Sequence, residues 1–470
     1  MSAAVPDGAP APQAPDAAPA PQAVVQRLSG FGGTRSSLAR LERSQRRAQL
    51  TAALLANDGP LLARGYGRSY GDAAQLDGGL VLDMTRLDRL LDFDPSSGVL
   101  VCEAGAMLAG IDRLFAPRGF ALPVVPGTGV VSVGGAIAAD IHGKNHDSAG
   151  SFGEYVEWID LLDAAGALHH LSPQQDPDAF LATIGGMGLT GIILQAAIRL
   201  VPIPSGLIHC RERRLTDLDA MLTAIAGIRD SATYSVAWID ALARGRDLGR
   251  GVLQTGELVP AERLANYRAR PAKRARRVPF DLPRIFPLKT AVRVHNRLHL
   301  ARVPASGRVY TLQRQAFLHP LDALENWNRL YGRRGFVQFQ CVVADELAQP
   351  CLRKLLETVS RSRPGALLGV LKTMGRDGRG LMSFARKGHS LALDIPWRAQ
   401  TPALLAELER IALDCGARVY LAKDSMLSPE AFAAMYPARE RFVSVLERLD
   451  PDGRFQSDQA RRLALRTYRP

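Results

Sequence analysis

The chain of 470 residues is predicted to fold as two packed domains of mixed helices and strands. Three observations carry that expectation. The length exceeds the roughly 250–300 residues at which one hydrophobic core stops growing. Short β-like runs alternate with helical stretches along the chain. Between the two halves, Val201-Pro202-Ile203-Pro204 interrupts the pattern and the composition changes.

The elements follow in order. Residues 1–25 are rich in Pro and Ala, with no basic start and no apolar stretch of signal-peptide length, and are expected as a disordered tail. Leu50, Ala53 and Leu54 fall at helical spacing within 44–56, and 60–63 is an apolar strand running into a glycine cluster. Residues 80–83, 99–103, 156–162 and 168–171 are strand-like, the last two joined as a hairpin across Ala165-Gly166. Residues 107–115 are helical, and the apolar strand 189–200 closes a first domain expected over 26–203. A second domain, expected over 204–442, holds strands at 234–239, 337–343 and 419–422 and a helix at 402–415. The segment 443–470 is expected to pack back on the first domain.

No segment approaches the run of about 18 apolar residues that spans a bilayer. The cysteines Cys102, Cys210, Cys341, Cys351 and Cys415 are scattered and lack metal-ligand or C-x-x-C spacing; this suits a reducing compartment and a chain with no metal site. The net charge of +13 is concentrated, since 262–302 carries 12 Lys/Arg against two acidic residues. That segment is either a solvated face or a contact for anions or lipid. It lacks interleaved stacking aromatics and any nucleic-acid module signature, which argues against a nucleic-acid partner.

The stretch Ala63-Arg64-Gly65-Tyr66-Gly67-Arg68-Ser69-Tyr70-Gly71-Asp72-Ala73 leaves a strand with three glycines within seven residues. Its backbone N–H groups can turn inward on an anion such as a diphosphate. It is not the Rossmann fingerprint, because Gly71 falls one residue too late, and it has no Walker lysine. Alone, the pattern more readily describes a plain tight turn. A second cluster follows: Pro126-Gly127-Thr128-Gly129, then Ser132-Val133-Gly134-Gly135-Ala136, then Asp140 and His142-Gly143-Lys144-Asn145-His146. Small residues this dense let backbone approach a large flat ligand.

The pair A-R-G-x-G-R-S-Y-G-D and P-G-T-x(4)-V-G-G-A-I-A-x-D-I-H-G-K-N-H resembles the flavin domain of the vanillyl-alcohol-oxidase superfamily. Within it, the chain is most similar to the decaprenylphosphoryl-ribose oxidases. The likeness continues through Trp238-Ile239-Asp240, His319-Pro320-Leu321-Asp322, Gln338-Phe339-Gln340 and Tyr420-Leu421-Ala422-Lys423-Asp424-Ser425. The resemblance implies an α+β fold in two domains, a PCMH-type FAD-binding domain and a sheet-based substrate domain. It implies that FAD is lined by Ala63 to Ala73, Gly127, Ser132, Val133, Gly134, Gly135, His142, Gly143, Lys144, Asn145, Ile193 and Tyr420. Many superfamily members tether the flavin through a histidine in G-x-G-H-S; Arg68 stands there, so FAD is expected to be non-covalent.

Hydride transfer from a carbinol needs a group to take the hydroxyl proton and positive charge where the reduced flavin becomes anionic. By resemblance, Lys423 reaches both substrate and flavin, and His142 shapes the pocket or accepts the proton. Gln340, Lys372 and Leu318 match substrate-pocket positions, with Gln340 suited to sugar hydroxyls and Lys372 to phosphate. Two positions depart from the family: Ala392 where a cysteine is common and Ser390 where an asparagine is usual. The implied activity is oxidation of a polyprenyl-phosphate-linked ribose at C2, the first half of an epimerisation that a partner reductase completes. The implied place is cytoplasmic, with peripheral contact at the inner face of the membrane through 262–302. A soluble-sugar aldonolactone or alditol oxidase is the alternative within the superfamily, and a basic nucleic-acid-binding protein the alternative outside it; a bound yellow chromophore separates the last from the others.

Overall fold

A computed structural model describes residues 23–269, 275–283 and 288–467. Most of the expected tail, and Arg270, Lys273, Arg274, Ile285 and Phe286 of the basic segment, lie outside the described residues. The first domain begins with a four-stranded sheet, order β1 (Val24–Ser29), β2 (Ser36–Glu42), β4 (Leu80–Asp83), β3 (Leu61–Arg64). The expected tail therefore overlaps β1 at Val24 and Val25, which pair with Leu41 and Arg40. The sequence Leu80-Val81-Leu82 is apolar on both faces because β4 is covered on both. Leu80 and Leu82 pack with Leu50 and Leu54 of helix Arg47–Leu55, while Val81 meets Leu28 and Leu62 on the other side. The chain leaving β3 enters the first glycine loop.

A second, antiparallel sheet runs β5 (Leu90–Asp94), β6 (Val99–Glu103), β10 (Ile192–Arg199), β8 (Val156–Leu162), β9 (Leu168–Leu171). The hairpin from β8 to β9 turns at Gly166, whose φ of 82° is in the left-handed region. A short ribbon pairs β7 (Phe120–Ala121) with β11 (Val201–Pro202).

The second domain is built on eight strands, ordered β16 (Arg308–Gln313), β12 (Leu207–Leu215), β14 (Gly251–Leu258), β13 (Tyr234–Ile239), β19 (Leu368–Met374), β20 (Gly388–Pro396), β18 (Phe336–Val343), β21 (Arg418–Val419). On β18 and β20, Cys341, Val343, Leu391, Leu393 and Ile395 enter the core shared with Leu352, Leu355 and Leu356 of helix Asp345–Arg361. The alternate residues of these strands face the first domain. The helix Asp345–Arg361 contains Pro350, which hid it from a periodicity argument. The expected strand over 419–422 is corrected: β21 ends at Val419, and Tyr420 accepts backbone hydrogen bonds from Lys423 and Asp424, closing a turn.

Two devices tie the domains. Asp112 of helix Leu108–Phe115 accepts from Arg314 at 2.6 Å, with both side chains almost wholly buried, and Arg314 also donates to the Leu122 carbonyl. Beyond helix Arg439–Leu449 the chain returns to the first sheet, where Phe455 bridges Leu61 and enters the same core as Leu50 and Leu82. The basic segment contributes β15 (Arg276–Arg277), which pairs in parallel with β17 (Leu324–Glu325), and helix Leu288–Ala301. Among the described residues, no helix is long and apolar enough to cross a membrane.

Candidate active site

Both glycine clusters open onto a cavity of about 680 Å³ between the first domain and the free face of β18, β19 and β20. The first loop is held open from beneath by Arg64, which donates to the Ser29 carbonyl at 2.9 Å and to the Ala74 carbonyl. Gly67 sits directly on that guanidinium at φ 62°, and a Cβ there would lie 2.1 Å from it. Gly65 faces Ser132, whose Oγ would be 2.2 Å from an added Cβ. At these two positions a side chain would displace Arg64 or Ser132 from the loop. Arg68 lines the cavity with a buried Nε that has no partner, and burial lowers the pKa of its guanidinium. The opposite edge is Met187-Gly188, both at positive φ, a strained pair for a non-glycine residue. An elongated wall of small residues, with the Arg68 guanidinium lining it and its Nε left without a hydrogen-bond partner, fits a flavin dinucleotide.

The sheet wall follows from pleating. Register sets Gln338 opposite Asp394 and Gln340 opposite Ala392, and on the other side of β20 it sets Leu368 opposite Asp394, Val370 opposite Ala392 and Lys372 opposite Ser390. Successive residues of a strand point to opposite faces, so these alternate positions form one face toward the first domain, polar at Gln338, Gln340, Lys372, Ser390 and Asp394 and apolar at Leu368, Val370 and Ala392. His142 meets it from the glycine side: Nδ1 lies 3.1 Å from Lys372 Nζ, and Nε2 lies 3.0 Å from the Gln340 amide nitrogen. Gln340 also donates to Ser390 Oγ at 3.0 Å. Lys423 places Nζ 3.7 Å from the centroid of the Tyr70 ring. Asp394 accepts from the Gln338 amide and from the Tyr331 hydroxyl.

Burial governs the charges. It lowers Lys423 to about 7, opposed by Asp394 and assisted by Lys372. It lowers Lys372 to about 8 and raises Asp394 to about 6. Burial, and then the charge of Lys372, hold His142 well below the usual imidazole range. Groups titrating near neutrality in one cleft can hold or pass a proton and can place charge.

Of the residues singled out in the sequence, Ala63 to Tyr70, Ala73, Gly127, Ser132, Gly134, Gly135, His142, Ile193, Tyr420, Gln340, Lys372, Ala392 and Lys423 line the cavity. The others stand behind its wall. Asp72 is ion-paired with Arg462, and Gly71 is packed against the Asp424 carbonyl. Val133 is in the core, and Gly143 packs against the Val125 backbone. Lys144 donates to the Phe317 carbonyl, and Asn145 to the Pro123 carbonyl at 2.8 Å. Leu318 is a core residue, and Ser390 is behind Gln340. Sequence reasoning missed Asp394, Gln338, Val370, Met187 and Trp327 as lining residues. The signal for Asp394 was present, since it lies two residues past Ala392 on one strand and so shares its face.

A family model described as an FAD binding domain matches residues 39–172. Another, described as D-arabinono-1,4-lactone oxidase, matches 394–463. Fold and site together define an FAD-dependent oxidoreductase with a PCMH-type flavin domain and a separate sheet domain for substrate. Decaprenylphosphoryl-beta-D-ribose oxidase of Mycolicibacterium smegmatis is 38% identical over 413 residues, covering 86% of this chain and 89% of that protein. The chain belongs to the decaprenylphosphoryl-ribose oxidase family. An uncharacterized protein of Streptomyces coelicolor is 35% identical over 366 residues, 75% of this chain and 98% of that one. L-gulono-1,4-lactone dehydrogenase of Mycobacterium tuberculosis is 24% identical over 409 residues, 85% of this chain and 89% of that one.

Proposed function

We propose that the enzyme oxidises the C2 carbinol of a ribose joined through phosphate to a polyprenyl carrier, the first half of an epimerisation that a separate reductase completes. The observation that carries this reading is the pair Gln340 and Lys372 on the sheet wall, met by His142 from the glycine wall. Bound FAD supplies the two-electron acceptor for the hydride of the carbinol C–H. The loops 63–73 and 127–135, with Ile193 and Tyr420, hold the cofactor. Lys423 presents a cation where negative charge develops, and His142, held by Lys372 and Gln340, shapes the pocket around the sugar. Gln340 bonds sugar hydroxyls, and Lys372 meets the phosphate as an ammonium. Ala392 shapes the pocket with no thiol, and Ser390 steadies Gln340 from behind.

FAD is held without a covalent link, because Arg68 stands where a tethering histidine would. Acid precipitation is expected to release about one FAD per chain intact; flavin left on the pellet would contradict this.

The lipid carrier has a matching rim. Leu324 and Glu325 line the cavity, and their strand is paired with Arg276-Arg277 of the basic segment. Phe280, Val294 and Leu298 of the same segment are exposed. This supports peripheral contact with the inner face of a membrane, the arrangement in which a lipid-linked sugar is collected.

A second reading, oxidation of a soluble aldonolactone, is favoured by the lactone-oxidase match over 394–463. Anaerobic mixing distinguishes the two. Polyprenyl-phosphoryl ribose is expected to bleach the flavin, and free sugars and lactones are not; bleaching by a lactone alone would select the second reading.

A further inference from the structure

We propose that Arg462, which does not line the cavity, is the positioning residue that fixes the first glycine loop and the Lys423 turn to one another. The proposal rests on the role given to Lys423 above. Arg462 ends the helix Asp458–Arg462, in the segment that returns to the first domain. Its Nε and Nη2 donate to the two carboxylate oxygens of Asp72, each at 2.8 Å. Nη2 also donates to Asp424 Oδ2 at 2.7 Å, and Nη1 to the Leu427 carbonyl at 2.6 Å. Asp72 closes the glycine loop, and Asp424 is the neighbour of Lys423. One guanidinium thus spans two loops whose carboxylates are 352 residues apart in sequence.

The two loops are in direct contact at the same place. Tyr70 donates its backbone N–H to the Ala422 carbonyl at 3.0 Å, and a Cβ on Gly71 would lie 1.9 Å from the Asp424 carbonyl oxygen. Gln459, from the same helix as Arg462, donates to the Leu421 carbonyl at 2.8 Å and to Asp424 at 3.1 Å. The contact of Lys423 with the Tyr70 ring joins one loop to the other, so its 3.7 Å separation depends on their register. Asp72 and Asp424 are both buried, and neither has another cation within ion-pairing distance among the described residues. Loss of the guanidinium leaves two buried carboxylates facing each other, and the loops must separate or shift. The structure therefore assigns to Arg462 a coupling between cofactor retention and placement of the Lys423 ammonium.

The test combines stopped-flow flavin reduction with FAD titration. Arg462→Gln is expected to slow reduction roughly 10²-fold, the scale of a displacement of about 1 Å at a reacting group, and to weaken FAD binding by about 10-fold. The decisive arm places Arg462→Gln in a Lys423→Ala background. If Arg462 acts through Lys423, the second substitution slows reduction by no more than about 2-fold further, because coupled residues are not additive. Guanidinium ion added to Arg462→Gly is expected to recover part of both losses. Additive slowing with no rescue, or unchanged FAD affinity in Arg462→Gln, would overturn the proposal. Should Arg462→Gln not yield folded protein, Arg462→Lys is the variant to measure, since a single ammonium cannot reach both carboxylates and the Leu427 carbonyl. Normal reduction by Lys423→Ala alone would defeat the role of Lys423; the clamp would then be judged by FAD affinity and rescue.

Discussion

Lys423 has the surroundings of a group whose charge is set by burial rather than by a salt bridge: an aromatic face beneath it, and the charge of Asp394 opposing the effect of burial without outweighing it. Lys423→Ala is expected to keep FAD but to slow flavin reduction by about 10²–10³-fold, equivalent to about 2.7–4 kcal/mol, the usual loss for one preorganised electrostatic group. Single-turnover absorbance with saturating substrate measures it. Lys372 makes a pH signature. Its ammonium, lowered to about 8 by burial, is present below that pH and lost above it. For a phosphate-bearing substrate kcat/KM should therefore fall as pH rises, first near 7 as the Lys423 ammonium is lost and again near 8 as that of Lys372 is lost, and Lys372→Met should lower kcat/KM at pH 7 and remove the second limb only. A limb near 8 that persists in Lys372→Met would assign it to another group.

At the scale of elements, the active site depends on two domains holding a fixed separation, and the buried pair Arg314–Asp112 lies on the seam. Helix Leu108–Phe115 brings Asp112 from one side, and helix Arg314–Leu318 brings Arg314 from the other. Removing one member leaves a charge buried without its partner. Arg314→Met is thus expected to destabilise by about 3–5 kcal/mol, measured as a drop in the urea midpoint, whereas Asp112→Leu combined with Arg314→Met should recover most of it. A single variant as stable as the parent would show that the seam is held elsewhere. The strands around the site show a related economy. On β18 and β20 one face is apolar against helix Asp345–Arg361 while the other carries Gln338, Gln340, Ser390 and Asp394, so one pleat serves both core and chemistry.

For the whole molecule, charge is distributed unevenly, and part of the excess, Arg276-Arg277, pairs with a strand that lines the cavity. Arg276, Arg277, Arg293, Arg297 and Arg302 are exposed, and no ion pair involves them among the described residues. Each such cation near an anionic bilayer contributes on the order of 1 kcal/mol, and exposed Phe280, Val294 and Leu298 add shallow insertion. Changing these five arginines to Gln is expected to reduce co-sedimentation with anionic vesicles in low salt while FAD content stays unchanged. Equal binding by the parent and the variant would reduce the segment to a solvated face.

The sequence by itself determined the cofactor class, the two-domain plan and most of the glycine wall. Those signals are local: a glycine required by a close approach, or a motif whose residues adjoin, keeps its meaning before the chain folds. Strands such as 80–83 and 156–162 were legible for the same reason, since their alternation or continuous apolarity is a property of neighbours. Tertiary structure alone decided the rest. Asp394 became a member of the site through strand register with Gln338, and Asp72 left the cofactor wall because Arg462 arrives from the far end of the chain. The turn at Tyr420–Lys423 replaced an expected strand for a similar reason. Its apolar residues are buried, Tyr420 and Ala422 among Val342, Met374 and Phe384, and burial of that kind produces the same sequence pattern whether the backbone is extended or turned.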